Sequence, residues 1–134
     1  MKNKLLYLKE QGFVSTAYYS DFEEQIYSLS SELNQIARKH LFNLTEYNRL
    51  ARKEIGLKNK IPIYVSPTVL LYKLNSVEGE FYINHFSVLQ VCYESGKVMY
   101  IFDNFSTLEV TISKRVLDNE IKKIKIILDY IHSL

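Results

Sequence analysis

Seven cationic side chains between Ser31 and Lys60 carry the strongest chemical signal in this sequence: Arg38, Lys39, Arg49, Arg52, Lys53, Lys58 and Lys60. Only Glu32, Glu46 and Glu54 oppose these seven, so the segment is +4 in a chain whose total is +2, and the remainder is net acidic. Cations gathered in this way suit phosphate, because each Lys or Arg that neutralises one releases a condensed counterion. The same charge on a solvated helix face needs no ligand. Other chemistries have less basis. There is no Gly-rich phosphate loop, zinc-ligand pair, His-Glu-x-x-His helix or nucleophile elbow. His40, His85 and His132 are scattered over different elements, and Cys92, inside an apolar run, reads as a small core hydrophobe. The tyrosines fall on strand-like runs and read as packing rather than as platforms for exposed bases. Neither catalysis, nor a metal, nor a cofactor is expected.

The elements that must position the seven cations follow from periodicity. Leu33, Ile36 with Ala37, Leu41, Leu44, Tyr47 with Asn48, Ala51 and Ile55 recur every three to four residues, the stripe of an amphipathic helix. Gly56 is its C-terminal stop, and Asn43 bends or breaks it, giving one long helix or two shorter ones. Arg38, Thr45, Arg49 and Arg52 keep a similar spacing on the other side, with Lys39, Glu46 and Lys53 adjacent, so the charge projects as a ridge. Short strands are expected before this segment over 5–8, 13–19 and 25–29. After it they are expected over 61–65, 69–74, 81–84, 88–94, 98–102 and 108–112, as an antiparallel meander. Ser95-Gly96 is a tight hairpin turn and Asp103 to Ser106 a longer one. Ser113 caps a last helix whose stripe is Leu117, Ile121, Ile124, Leu128, Ile131 and Leu134, with Lys122, Lys123 and Lys125 on a solvated face. The expected fold is α+β: an antiparallel β-sheet of short strands, a central basic amphipathic helical segment and a C-terminal helix packed on the sheet.

At 134 residues, 47% hydrophobic and 24% charged, the chain has the composition of a single globular domain over 1–134. One cysteine excludes an internal disulfide, and no apolar run is long enough for a signal peptide or membrane span. A cytoplasmic setting with no membrane partner is the expectation.

The order of features outward from Pro62 resembles the ComK family of competence transcription factors over most of the chain. Lys60-Ile61-Pro62-Ile63-Tyr64-Val65 resembles a basic residue followed by a Pro-Ile strand, and Leu70-Leu71-Tyr72 resembles the next apolar strand. Phe81-Tyr82-Ile83-Asn84 with Val88 resembles an aromatic-Ile-Asn strand, Tyr82 standing where Trp is usual. Ile101-Phe102-Asp103-Asn104, Leu108, Val110 and Ser113 resemble the phenylalanine-turn-strand-Ser ending. Upstream, Asn43 to Arg49 sits where the family shows a Gly-Ser-Ser/Thr segment ending in Gly-Arg; only Thr45 and Arg49 match, and Asn43 and Asn48 replace the glycines. Lys73 stands where Pro is usual and Phe105 where Gly is usual. The resemblance implies a short, divergent bacterial member: an oligomer that binds AT-rich double-stranded DNA largely through the minor groove and regulates transcription. The physics suits the basic segment, since A-tract minor grooves are narrow and strongly negative and accept Arg favourably. Arg49 is the leading single candidate. The alternative is a non-enzymatic module that kept the sheet for oligomerisation or for a regulatory protein partner while losing the DNA determinants. The strand at Phe81, the later hairpin and Ile112-Ser113-Lys114-Arg115 also resemble the end of LytTR-type domains, a shorter match that leaves the basic helix without a place.

Overall fold

Tyrosine-rich and β-branched runs on either side of the basic segment fold into antiparallel strands, as their alternation requires. A computed structural model describes residues 4–134. In chain order the elements are β1 (Leu5–Gln11), β2 (Val14–Tyr19), β3 (Glu23–Ile26), α1 (Leu29–Lys39), α2 (Leu44–Leu50), a π-helical turn (Ala51–Ile55), β4 (Ile63–Ser66), β5 (Val69–Ser76) and β6 (Gly79–Asn84). There follow a 3-10 turn (His85–Ser87), β7 (Val88–Glu94), β8 (Lys97–Phe102), β9 (Thr107–Thr111) and α3 (Lys114–His132). The α+β class expected from sequence is the one observed.

The strands form two sheets rather than one meander. The larger has the order β3-β2-β1-β6-β5-β4 and the smaller β7-β8-β9. The division falls at Asn84, where β6, already paired with both β1 and β5, hands over to the 3-10 turn. Asn84 is fully buried, and its amide supplies what the turning backbone lacks. Its Oδ1 accepts the Leu70 N–H at 3.0 Å, and its Nδ2 donates to the carbonyls of Leu5 at 2.9 Å and Thr68 at 3.0 Å.

Both faces of the larger sheet are covered. Leu70, Tyr72, Leu74, Phe81 and Ile83 meet Val98, Tyr100, Phe102 and Val110 of the smaller sheet and Leu117 and Ile124 of α3. On the other face Leu5, Leu8, Ala17, Val69 and Leu71 pack against Leu29 and Ile36 of α1. Strand β5 thus feeds both clusters by alternation, which is why it reads as a nearly continuous apolar run.

Local boundaries and burial differ from the sequence expectation in several places. The third strand ends at Ile26, and α1 begins at Leu29, because the Ser28 hydroxyl caps the helix by accepting the Ser31 N–H at 3.1 Å. Cys92 is exposed on β7 and is no core residue, since the register sets it beside Met99 on the face of the smaller sheet opposite to the one that Val98, Tyr100 and Phe102 turn to the core. Lys123 is half-buried and bonded, whereas Lys122 and Lys125 lie on the exposed face. Ile121, Leu134 and Leu41, expected on apolar helical stripes, are exposed, whereas the expected turn and cap are met. The Ser95-Gly96 turn has φ of 51° and 81°, the left-handed pair that suits a two-residue hairpin, and the Ser113 hydroxyl caps α3. No helix among the described residues is long and apolar enough to cross a membrane.

Glu78, in the β5–β6 turn, clamps the smaller sheet to the larger. Its carboxylate accepts the Thr111 N–H at 2.9 Å and the Thr111 hydroxyl, and these bonds hold its pKa down to about 2 from an ordinary 4.5. A carboxylate with a lower pKa folded than unfolded stabilises fully above its unfolded value and loses that contribution as pH falls toward the folded one. Between about pH 5 and pH 2, wild type is therefore expected to lose more stability than Glu78→Gln, measured as urea midpoints across that range. Parallel losses would refute the clamp.

Candidate nucleic-acid interface

The basic segment forms two helical pieces, and the chemistry of the break is local. The α1 helix ends with Arg38 and Lys39 in its last turn, beside the carbonyl end of its dipole, where cations are favoured. Leu41 then takes a left-handed φ of 53°, and Asn43 starts α2 by accepting the Glu46 N–H at 2.9 Å. Asn43 is therefore a helix cap, a role that its short amide side chain fills well.

Tyr47 fixes α2 against the sheet. Its hydroxyl donates to the Pro62 carbonyl at 2.6 Å and accepts the Tyr64 N–H at 3.2 Å, and burial pushes its pKa up to about 12. The helix then widens into the π-turn, which carries Arg52 and Lys53 and stops at Gly56, as expected, with φ 76°. The connector that follows is tied to α3, where Lys123 donates to the Asn59 carbonyl at 2.8 Å and to Glu120 at 3.0 Å. Lys58 and Lys60 flank that anchor.

Six of the seven sequence candidates line three adjoining concavities. Arg38 borders the first, at the α1–α2 break. Arg49, Arg52 and Lys53 surround the second with Thr45 and Asn48. Arg52, Lys58 and Lys60 line the third with Asn48, Lys73 and Tyr82. Thr45 is shared by the first and second, and Asn48 and Arg52 by the second and third. No carboxylate lines any of them. Lys39 borders none, and its nearest resolved influence is on Glu32, whose carboxylate it draws downward against the larger effect of burial.

Ion pairing separates the candidates further. Arg49 is held by Glu46 through two bonds, Nε to Oε1 at 3.1 Å and Nη2 to Oε2 at 2.6 Å. Among the described residues, Arg38, Arg52, Lys53, Lys58 and Lys60 have no hydrogen bond or ion pair from their side chains, while Lys4, Lys97, Lys114, Lys123 and Lys125 are all paired with carboxylates. Arg52 rather than Arg49 is thus the free guanidinium at the centre of the surface.

Lys73 belongs to the same surface and was not among the candidates. It pairs with Glu80 at 3.3 Å and lies 5.9 Å above the Tyr82 ring, its cross-strand partner. The signal was the alternation of β5, which puts Lys73 on the same side as Val69 and Leu71, the side that α1 covers. The three histidines occupy the C-cap of α1, the 3-10 turn and the last turn of α3. Among the described residues no cluster of His, Cys, Asp or Glu could hold a metal ion.

No family model matches the chain, and no curated protein or solved structure matches it either. The ComK-like reading accordingly rests on the residues of this chain alone.

Proposed function

We propose that this chain is a ComK-like transcription regulator, without enzymatic activity, that binds AT-rich double-stranded DNA through the surface around Arg52. The observation that carries this reading is the convergence of five cations lacking carboxylate partners on contiguous concavities that no carboxylate lines. Like charges gathered without counter-charge repel one another in the free protein, and phosphate relieves that repulsion while releasing counterions. Lys60 adds to the argument. It holds a left-handed φ of 48°, a conformation that costs a non-glycine residue about 1–2 kcal/mol, so a cation is kept where glycine would sit without strain.

The AT preference follows from the ComK resemblance and from groove physics, since a narrow A-tract groove favours inserted Arg. One departure from the family pattern is consistent with that likeness: Phe105, standing where Gly is usual, has φ 69° and is exposed, the backbone state for which glycine is suited. Fluorescence anisotropy with AT-rich and GC-rich duplexes tests the proposal. Tighter binding to the AT-rich duplex, weakening as salt rises, is expected, and no binding near about 50 mM salt, where phosphate contacts count most, would sink it.

A second reading, a protein-interaction module, draws on an apolar groove of about 360 Å³ between α2 and α3, walled by Leu50, Ile55, Ile127, Tyr130 and Ile131. It predicts a protein partner whose capture is indifferent to DNA, and Leu50→Lys would abolish it.

A further inference from the structure

Two sheets leave four edge strands, and three of these are blocked. Strand β3 is four residues long and carries Glu23 and Glu24. Strand β4 is equally short, lies between Pro62 and Pro67, and has its Tyr64 N–H taken by the Tyr47 hydroxyl. On β9 the Thr111 N–H is taken by Glu78. Short length, charge, proline and side-chain caps are the devices by which proteins keep sheet edges from pairing.

The fourth edge, β7, has none of these over most of its length. It runs seven residues, Val88-Leu89-Gln90-Val91-Cys92-Tyr93-Glu94, with no proline or cation and one carboxylate at its end. Leu89 is 58% exposed and Val91 40% exposed. Among the described residues no side chain from elsewhere bonds to its backbone. Its ladder with β8 is irregular at Val88–Gln90 and regular from Gln90 to Glu94, so the stretch able to accept another strand is centred on Cys92.

That stretch complements itself. We propose that two copies of the chain pair their β7 strands antiparallel about a two-fold axis at Cys92, joining two three-stranded sheets into one of six. An antiparallel pair centred there sets Gln90 opposite Glu94, so that an amide donor meets a carboxylate, and sets Val91 opposite Tyr93, an aliphatic–aromatic pair of the kind that stabilises sheets. The two Glu94 carboxylates lie at opposite ends and never face each other. The two Cys92 residues face across the axis with Cα atoms about 4.5–5.5 Å apart, within the range that a disulfide spans. A symmetric, self-complementary patch of this sort closes at two subunits. The dimer is independent of the nucleic-acid reading.

Sedimentation equilibrium of the full chain under reducing conditions is the test. A dimer is expected for wild type, weakened at least about tenfold by Gln90→Glu, which sets two carboxylates opposite each other at both ends, and restored by Gln90→Glu with Glu94→Gln, which reverses the pair. Both positions are exposed, so folding is not at stake, which circular dichroism checks. On oxidation with diamide, wild type is expected to form a disulfide-linked dimer more readily than Gln90→Glu. A wild-type chain that stays monomeric at about 100 µM, far above the dissociation constant of a specific dimer, would overturn the proposal. So would a dimer indifferent to both variants.

Discussion

Arg52→Glu is expected to weaken binding to AT-rich duplex by roughly 30- to 100-fold at about 100 mM salt, whereas Arg49→Ala changes it less than about threefold. The contrast follows from how each guanidinium is occupied. Arg52 lines two of the three concavities and has no carboxylate partner, so reversing its charge removes a phosphate contact and adds a repulsion at the centre of the surface. Arg49 already commits the Nε/Nη2 edge of its guanidinium to Glu46, a pair that lowers the Glu46 pKa and raises that of Arg49. Glu46→Gln separates this account from a purely structural role for the pair. It frees Arg49 and removes a negative charge from the rim, so duplex affinity is expected to rise several-fold. Anisotropy titrations of the three variants check the order; equal losses from Arg49→Ala and Arg52→Glu would contradict it.

Asn84→Leu is expected to be the most destabilising single change on this account, by about 3–5 kcal/mol in urea unfolding. Leucine keeps the branched shape but is larger, so it crowds a fully buried site, and it leaves the buried Leu70 N–H and the partly buried Thr68 carbonyl and Phe86 N–H without the amide, at about 1–3 kcal/mol for a buried group. The Leu5 carbonyl keeps the Ser87 hydroxyl, which limits the loss. Asn84→Asp is not expected to rescue, because a carboxylate has no donor for either carbonyl and would bury charge beside them. A loss below about 1 kcal/mol for the leucine variant would mean that the turn holds without the amide.

The helical pieces and most strands were legible because their periods are strong: the α1–α2 stripe, the alternation through β8 and β9, the caps at Ser113 and Gly56. The split into two sheets was not, because nothing in local alternation tells β6 that β1, some 75 residues upstream in sequence, is its second partner. Non-local pairing is decided by packing, here by a buried Asn84 that reads in sequence as an ordinary strand residue. Cys92 failed for a related reason. Its run is apolar on both faces, so its alternation does not say which face turns to the core, and the pairing with β8 puts Cys92 on the other one.

The basic surface was legible as charge but not as geometry. Sequence spacing placed Arg38, Arg49 and Arg52 along one ridge; in the fold they come from three successive pieces, α1, α2 and the π-helical turn, and Lys58, Lys60 and Lys73 join them from the connector and β5. Which of them is free depends on where carboxylates fall. Glu46 stands three residues before Arg49 on one helical face, a spacing that pairs them; Glu54 stands close in sequence to Arg52 and Lys53 but pairs with neither. That difference, invisible to net charge, moves the centre of the surface from Arg49 to Arg52.

The salt dependence of wild-type binding to one AT-rich duplex tests the central claim most directly. If the five unpaired cations each neutralise a phosphate, the logarithm of the association constant should fall against the logarithm of salt concentration with a slope of about −4 to −5. A slope shallower than about −1, or no measurable association at any salt, would contradict a phosphate-directed surface at these residues.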